Sequence, residues 1–127
     1  MTARKENSTY SLNEKFITEC DLTYAANKIG GRWKIVILDK LGNRKLRFGE
    51  LKKEFPYITE RMLTLQLRAL EQDELVKRTV YAEIPPRVEY ELTPMALEFL
   101  PIFCQLSAWG KKNKALKKQA DLKGNLP

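Results

Sequence analysis

Within Thr59-Glu60-Arg61-Met62-Leu63-Thr64-Leu65-Gln66-Leu67-Arg68, two arginines, a threonine and a leucine (Arg61, Thr64, Leu65, Arg68) recur at i, i+3, i+4 and i+7, the spacing of one helical face. The chemistry this set can do is recognition. A guanidinium forks onto the O6 and N7 of guanine, a hydroxyl suits several base edges, and an apolar side chain meets the methyl of thymine. Taken alone, the same stripe also describes an ordinary solvated helix face. The elements around it have to decide between the two.

Those elements are legible from periodicity. Phe48, Leu51 and Phe55 fall at i, i+3 and i+7, predicting a short helix closed by Pro56. Thr59 is placed to cap a second helix whose inner face carries Met62, Leu63, Leu67 and Leu70. A turn of three or four residues between them is the spacing of a helix-turn-helix. Upstream, Asp21 opens a short helix with Leu22, Ala25, Ala26 and Ile29, stopped by Gly30-Gly31. The segment from Arg32 to Leu41 is apolar nearly all round and therefore central.

Downstream the period changes. Leu75 to Ala82 and Arg87 to Thr93 are rich in β-branched and aromatic residues, joined by Glu83-Ile84-Pro85-Pro86, so an antiparallel two-stranded ribbon is predicted. Thr93-Pro94 starts another short helix, Pro101 is expected to interrupt it, and a longer helix should run to about Lys118. The predicted fold is therefore α+β, mainly α: a winged helix-turn-helix with a two-stranded β-wing and terminal dimerisation helices. Residues 1–12 read as a flexible N-terminal arm, 13–118 as a single domain, and 119–127 as a flexible tail.

Charge agrees with an anionic partner without proving one. The chain of 127 residues carries 23 Lys and Arg against 16 Asp and Glu, a balance of +7, and such an excess favours nucleic acid or an acidic surface. Six of those lysines lie beyond residue 110, where basic tails are commonly just solvated. Within the ribbon, Lys77, Arg78 and Arg87 could meet phosphates or reach a minor groove, and Arg44, Lys45 and Arg47 ahead of the first motif helix could contact backbone phosphates. On the last helix Leu100, Phe103, Leu106 and Trp109 form an apolar stripe, either core or the cover for a second copy. A two-fold pair would present two reading helices about 34–36 Å apart, matching an inverted-repeat site on double-stranded DNA.

Catalysis finds no support. Histidine is absent, removing the commonest general base and metal ligand. Gly30-Gly31 and Gly42 read as helix stops rather than a phosphate loop, and Glu71-Gln72-Asp73-Glu74 as a solvated helix end. No enzyme, cofactor or metal site is expected. Two cysteines, Cys20 and Cys104, are too few for a disulfide scaffold. Cys20 precedes a helix start, where a thiolate is favoured, so it could act as a redox sensor with Cys104; both could equally be small apolar fillers, Cys104 more so. Asp21 beside Cys20 opposes ionisation by like charge. The opening residues lack a secretory h-region and the longest aliphatic run is Ile35-Val36-Ile37-Leu38, so no membrane association and a cytoplasmic location with reduced thiols are expected.

Together these residues resemble the HxlR-type family of bacterial winged-helix transcriptional regulators. The resemblance is carried by Cys20, Ile29-Gly30-Gly31-x-Trp33, Arg47-Phe48-x-Glu50-Leu51 and Ile58-Thr59-x-Arg61-Met62-Leu63. Leu67-Arg68-x-Leu70-Glu71, Pro85-Pro86-x-Val88-Glu89-Tyr90-x-Leu92-Thr93 and Trp109-Gly110 complete it. It implies a homodimeric, sequence-specific DNA-binding repressor or activator with no cofactor, in which the helix from Thr59 reads the major groove and the terminal regions form the dimer. It also implies, for some members, a response to an electrophile or oxidant through a cysteine placed like Cys20. The competing expectation is a winged-helix protein-interaction module that binds no DNA. The chain departs from the family at Asp21, usually proline, at Tyr57 and Glu74, usually glycine, and at Leu65, usually polar.

Overall fold

The computed structural model describes residues 12–15 and 19–124. Most of the expected arm and the last residues of the expected tail lie outside this range. The elements run α1 (Asp21–Lys28), α2 (Lys34–Leu41), β1 (Leu46–Arg47), α3 (Phe48–Glu54), α4 (Glu60–Gln72), β2 (Val76–Tyr81), β3 (Arg87–Leu92), α5 (Pro94–Leu97) and α6 (Phe99–Gly124). The architecture is a winged helix: α3 and α4 form the helix-turn-helix, and β2 and β3 form the wing.

The core is built from aliphatic faces meeting at α2. Ile37, Leu38 and Leu41 of α2 join Leu51 of α3, Leu63, Leu67 and Leu70 of α4, Val76 and Leu92 of the ribbon, and Phe103 of α6. The linker between α3 and α4 contributes Phe55 and Ile58, each 2% exposed. Trp33 and Ile35 pack against this cluster from its edge. The chain leaves α2 at Gly42, whose φ of 53° suits glycine and whose N–H is bonded to Leu38 O.

The α4 boundaries follow local capping. Thr59 is the N-cap and its Oγ1 accepts from Met62 N at 3.1 Å. Thr59→Ala should therefore cost about 1 kcal/mol of stability, read as a lower urea midpoint at unchanged slope. At the other end Leu75 N donates to Leu70 O and Glu74 N to Glu71 O, the paired 6→1 and 5→2 bonds of a Schellman motif. Its left-handed position is Glu74, with φ of 59°, the one described non-glycine residue at positive φ. Glycine adopts this left-handed backbone without cost, which is the physical reason for expecting a glycine where this chain has Glu74. Tyr57, the other departure, keeps an ordinary φ.

Three expectations are corrected. The sheet has three strands, not two, in the order β1-β3-β2, with Leu46 opposite Tyr90 and Arg47 opposite Glu89. The break between the last helices falls at Glu98 rather than at Pro101. The proline ring clashes with the carbonyl four residues back, that of Leu97, so the helix ends there; Pro101 then sits in the first turn of α6, where its missing N–H is not needed. The last helix continues to Gly124, past the expected end near Lys118, with Ala115, Leu116, Gln119 and Ala120 sustaining it among lysines of good helix propensity.

Candidate nucleic-acid interface

Burial of Leu63, Leu67 and Leu70 fixes the rotation of α4. Arg61, Leu65 and Arg68 are consequently exposed and Thr64 is half-buried beside them. Leu65 is 48% exposed, an apolar group held in solvent between two cations. The Thr64 hydroxyl donates to Glu60 O at 2.8 Å, which leaves its lone pairs as acceptors for a base-edge amine. Thr59 is exposed at the head of the same face, its Oγ1 engaged as the cap acceptor.

The ribbon completes the surface on one side only. Successive residues of a strand face opposite ways. The register pairs Val76 with Leu92, Arg78 with Tyr90 and Val80 with Val88, and it pairs Lys77 with Glu91, Thr79 with Glu89 and Tyr81 with Arg87. Arg78 therefore shares the face of Val80 and Tyr90. It lines a cleft together with Thr64, Arg68 and Glu71 of α4. Two arginines from two elements converge there, and no described ion pair engages either guanidinium.

The other cations are placed differently, which corrects the grouping expected from sequence. Lys77 projects from the opposite face of the ribbon, beside Glu91. Arg87 is held within the wing: its Nη2 lies 3.4 Å from Glu83 Oε1, its Nε 3.5 Å from Glu89 Oε1, and its guanidinium 4.1 Å from the centre of the Tyr81 ring. Arg44 bonds to Lys40 O and pairs with Glu54, and Lys45 pairs with Glu91 at 3.7 Å. Arg47 is exposed at the N-cap of α3, where its backbone N–H donates to Glu50 Oε1 at 2.9 Å, but it stands on the Glu89 side of the sheet. The acids that hold Arg44 and Lys45 lie ten or more residues away, where no local pattern gives a signal, whereas Glu83 and Glu89 stand within four residues of Arg87.

The stripe on the last helix is also divided. Phe103 is 5% exposed and stacks on Phe99 with ring centres 5.3 Å apart, and Leu100 packs beside them. Both belong to the chain's own core, because α6 turns that side toward α2. Leu106 and Trp109 remain 51% and 64% exposed, and Ile102, absent from the expected stripe, joins them at 55%.

Cys104 is exposed and Cys20 half-buried, both free thiols, so the expectation of Cys104 as a buried filler does not hold. Cys20 occupies the N-cap of α1 without a side-chain bond of ordinary cap geometry. Its thiol nonetheless lies below the usual cysteine range, chiefly because the Thr23 hydroxyl and then the Thr23 N–H favour the thiolate. Partial desolvation and the Asp21 carboxylate act the other way, and the Leu22 N–H assists. Among the described residues no group of three acidic, cysteine or histidine side chains could hold a metal ion, and no helix is long and apolar enough to cross a membrane.

Comparison with known proteins agrees with this geometry. Residues 28–118 match the HxlR-like helix-turn-helix family. The chain is 49% identical over 92 residues to an HTH-type transcriptional regulator of Methanothermobacter thermautotrophicus, covering 72% of this chain and 70% of that one. It is 41% identical over 114 residues to the HTH-type transcriptional regulator YdeP of Bacillus subtilis, covering 90% and 88%. Among solved structures, the redox regulator HypR in its reduced form superposes with a TM-score of 0.72 at 41% identity, covering 77% of this chain and 97% of that one. A winged helix whose second motif helix presents arginines to solvent, matched along most of its length by transcriptional regulators, leaves one assignment: the chain belongs to the HxlR-like helix-turn-helix family of DNA-binding transcriptional regulators.

Proposed function

We propose that two copies of this chain bind an inverted-repeat operator, each placing α4 in a major groove. Arg61, Thr64, Leu65 and Arg68 address base edges there, and Arg78 reaches the adjoining phosphates. The observation that carries this reading is the convergence of Thr64, Arg68 and Arg78 on one cleft. The exposed Ile102, Leu106 and Trp109 lie at i, i+4 and i+7 of α6, and they supply the face on which the second copy would pack. Selection of sheared genomic DNA on the protein, followed by gel shifts of the recovered duplex at rising salt, tests the reading. An enriched palindromic sequence whose affinity falls steeply with salt is expected; no enrichment would defeat it in favour of a protein-interaction module.

A second reading, control of that binding through a thiol, is favoured by the lowered pKa of Cys20. HypR, one of the similar structures, is a redox regulator. A thiol with a folded-state pKa below that of a free cysteine is more ionised at neutral pH, so alkylation of Cys20 by iodoacetamide should reach half its limiting rate at a lower pH than alkylation of a free cysteine. Cys20→Ser should abolish any effect of a mild oxidant on the gel shift. An oxidant response that survives the substitution would remove Cys20 from the account.

A further inference from the structure

We infer that the wing tip of this chain is an apolar wedge for the minor groove, inserting Ile84 beside a base step and bending the duplex. The inference rests on the reading that α4 occupies the neighbouring major groove. Ile84 is 103% exposed, so this large aliphatic side chain touches nothing in its own fold. Pro85 and Pro86 beside it are exposed as well. Toward the base of the ribbon on the Arg78 face, Val80 is 54% exposed and faces Val88. The side of the wing continuous with the Arg68 and Arg78 cleft is therefore apolar from Val80 outward.

Charge points the same way. A wing that grips phosphates needs free cations at its tip. Here the tip cation, Arg87, is flanked by Glu83 and Glu89 and stacked on Tyr81, so the tip presents no net positive charge to a phosphate. Apolar side chains, Ile and Pro among them, are instead the groups that unstack a base step from the minor groove. The reach is adequate. Five residue steps separate Val76 from Tyr81 along β2, about 17 Å at 3.3–3.4 Å per step. That is about half of a 34–36 Å helical turn, the separation between a major groove and the next minor groove on one side of the duplex.

The test uses the duplex recovered by genomic selection, carrying a fluorophore at each end so that bending is read by energy transfer. The full wild-type chain should draw the ends together. Ile84→Ala should hold the same duplex unbent and about tenfold more weakly, with a thermal unfolding curve like that of the wild type because Ile84 supports no packing. Ile84→Met, still a long apolar side chain, should restore the bend. The slope of log affinity against log salt should be unchanged in Ile84→Ala, since no counterion is involved, whereas Arg78→Ala should make it shallower by about one. A bend that persists in Ile84→Ala, or a wild-type complex that holds straight duplex, would overturn the wedge alone. Failure of the wild-type chain to hold any duplex would overturn the wedge together with the α4 reading.

Discussion

Leu67→Ala is expected to lose about 3–5 kcal/mol of folding stability, the largest effect of any single change considered. Leu67 is 1% exposed, and it meets the shared core of α2, α3 and the ribbon from the middle of α4. Truncation removes its transfer free energy and leaves a cavity that close-packed aliphatic neighbours cannot fill. Domains of this size have total stabilities of about 5–15 kcal/mol, so the loss is a large share of the whole. Urea unfolding followed by circular dichroism should show a much lower midpoint with the same slope. A midpoint within a few tenths molar of wild type would mean that α4 is not rotated as described.

Replacing the two exposed arginines of α4, Arg61 and Arg68, carries the second large effect. Arg61→Ala should weaken binding to the selected operator by about 1–3 kcal/mol, and Arg68→Ala by a similar amount. The two residues lie seven positions apart on an exposed face, two turns along α4, so their losses should nearly add. Because neither side chain is buried, folding should be unaffected, which separates this outcome from that of Leu67→Ala. The measurement is a titration of operator and scrambled duplex at one salt concentration. Loss confined to the operator supports base contact; equal loss on both would assign the arginines to phosphates. Arg87→Ala provides a contrast, since its partners are Tyr81, Glu83 and Glu89, and its effect should appear in wing stability instead of a direct phosphate contact.

The legible parts of this fold were those encoded by residues close in sequence. The 3.6-residue recurrence of Leu63, Leu67 and Leu70, the Thr59 cap and the β-branched and aromatic run of Arg87 to Leu92 each express a local rule, and the structure places the helix face, the cap and a strand there. What escaped depends on partners far along the chain. Leu46–Arg47 is too short to show a period and becomes a strand only because β3 offers its edge. The engagement of Arg44 and Lys45 depends on where Glu54 and Glu91 arrive after folding, while that of Arg87 by Glu83 and Glu89 is local and depends on the turn of the ribbon. The expected stripe on α6 repeats every three residues and so drifts round a helix of 3.6 residues per turn, which leaves Leu100 and Phe103 turned inward and Leu106 and Trp109 outward.

The junction at the end of α4 joins three pieces of chain. Glu74 turns the backbone from helix to strand, its carbonyl accepts from the Thr93 hydroxyl at 2.8 Å, and Thr93 N bonds to Leu75 O at 3.1 Å. The same hydroxyl caps α5 by accepting from Ala96 N at 3.3 Å. Lys28 adds a strut from α1 to Asp73 at 3.5 Å. These ties at one joint hold α4 and the ribbon at a fixed separation, so that on the reading proposed above the two would act as a caliper of fixed gauge. The quantity gauged would then be the interval along a duplex between the points met by α4 and by the wing, and a target lengthened by one base pair inside that interval should bind more weakly because its second point is rotated away.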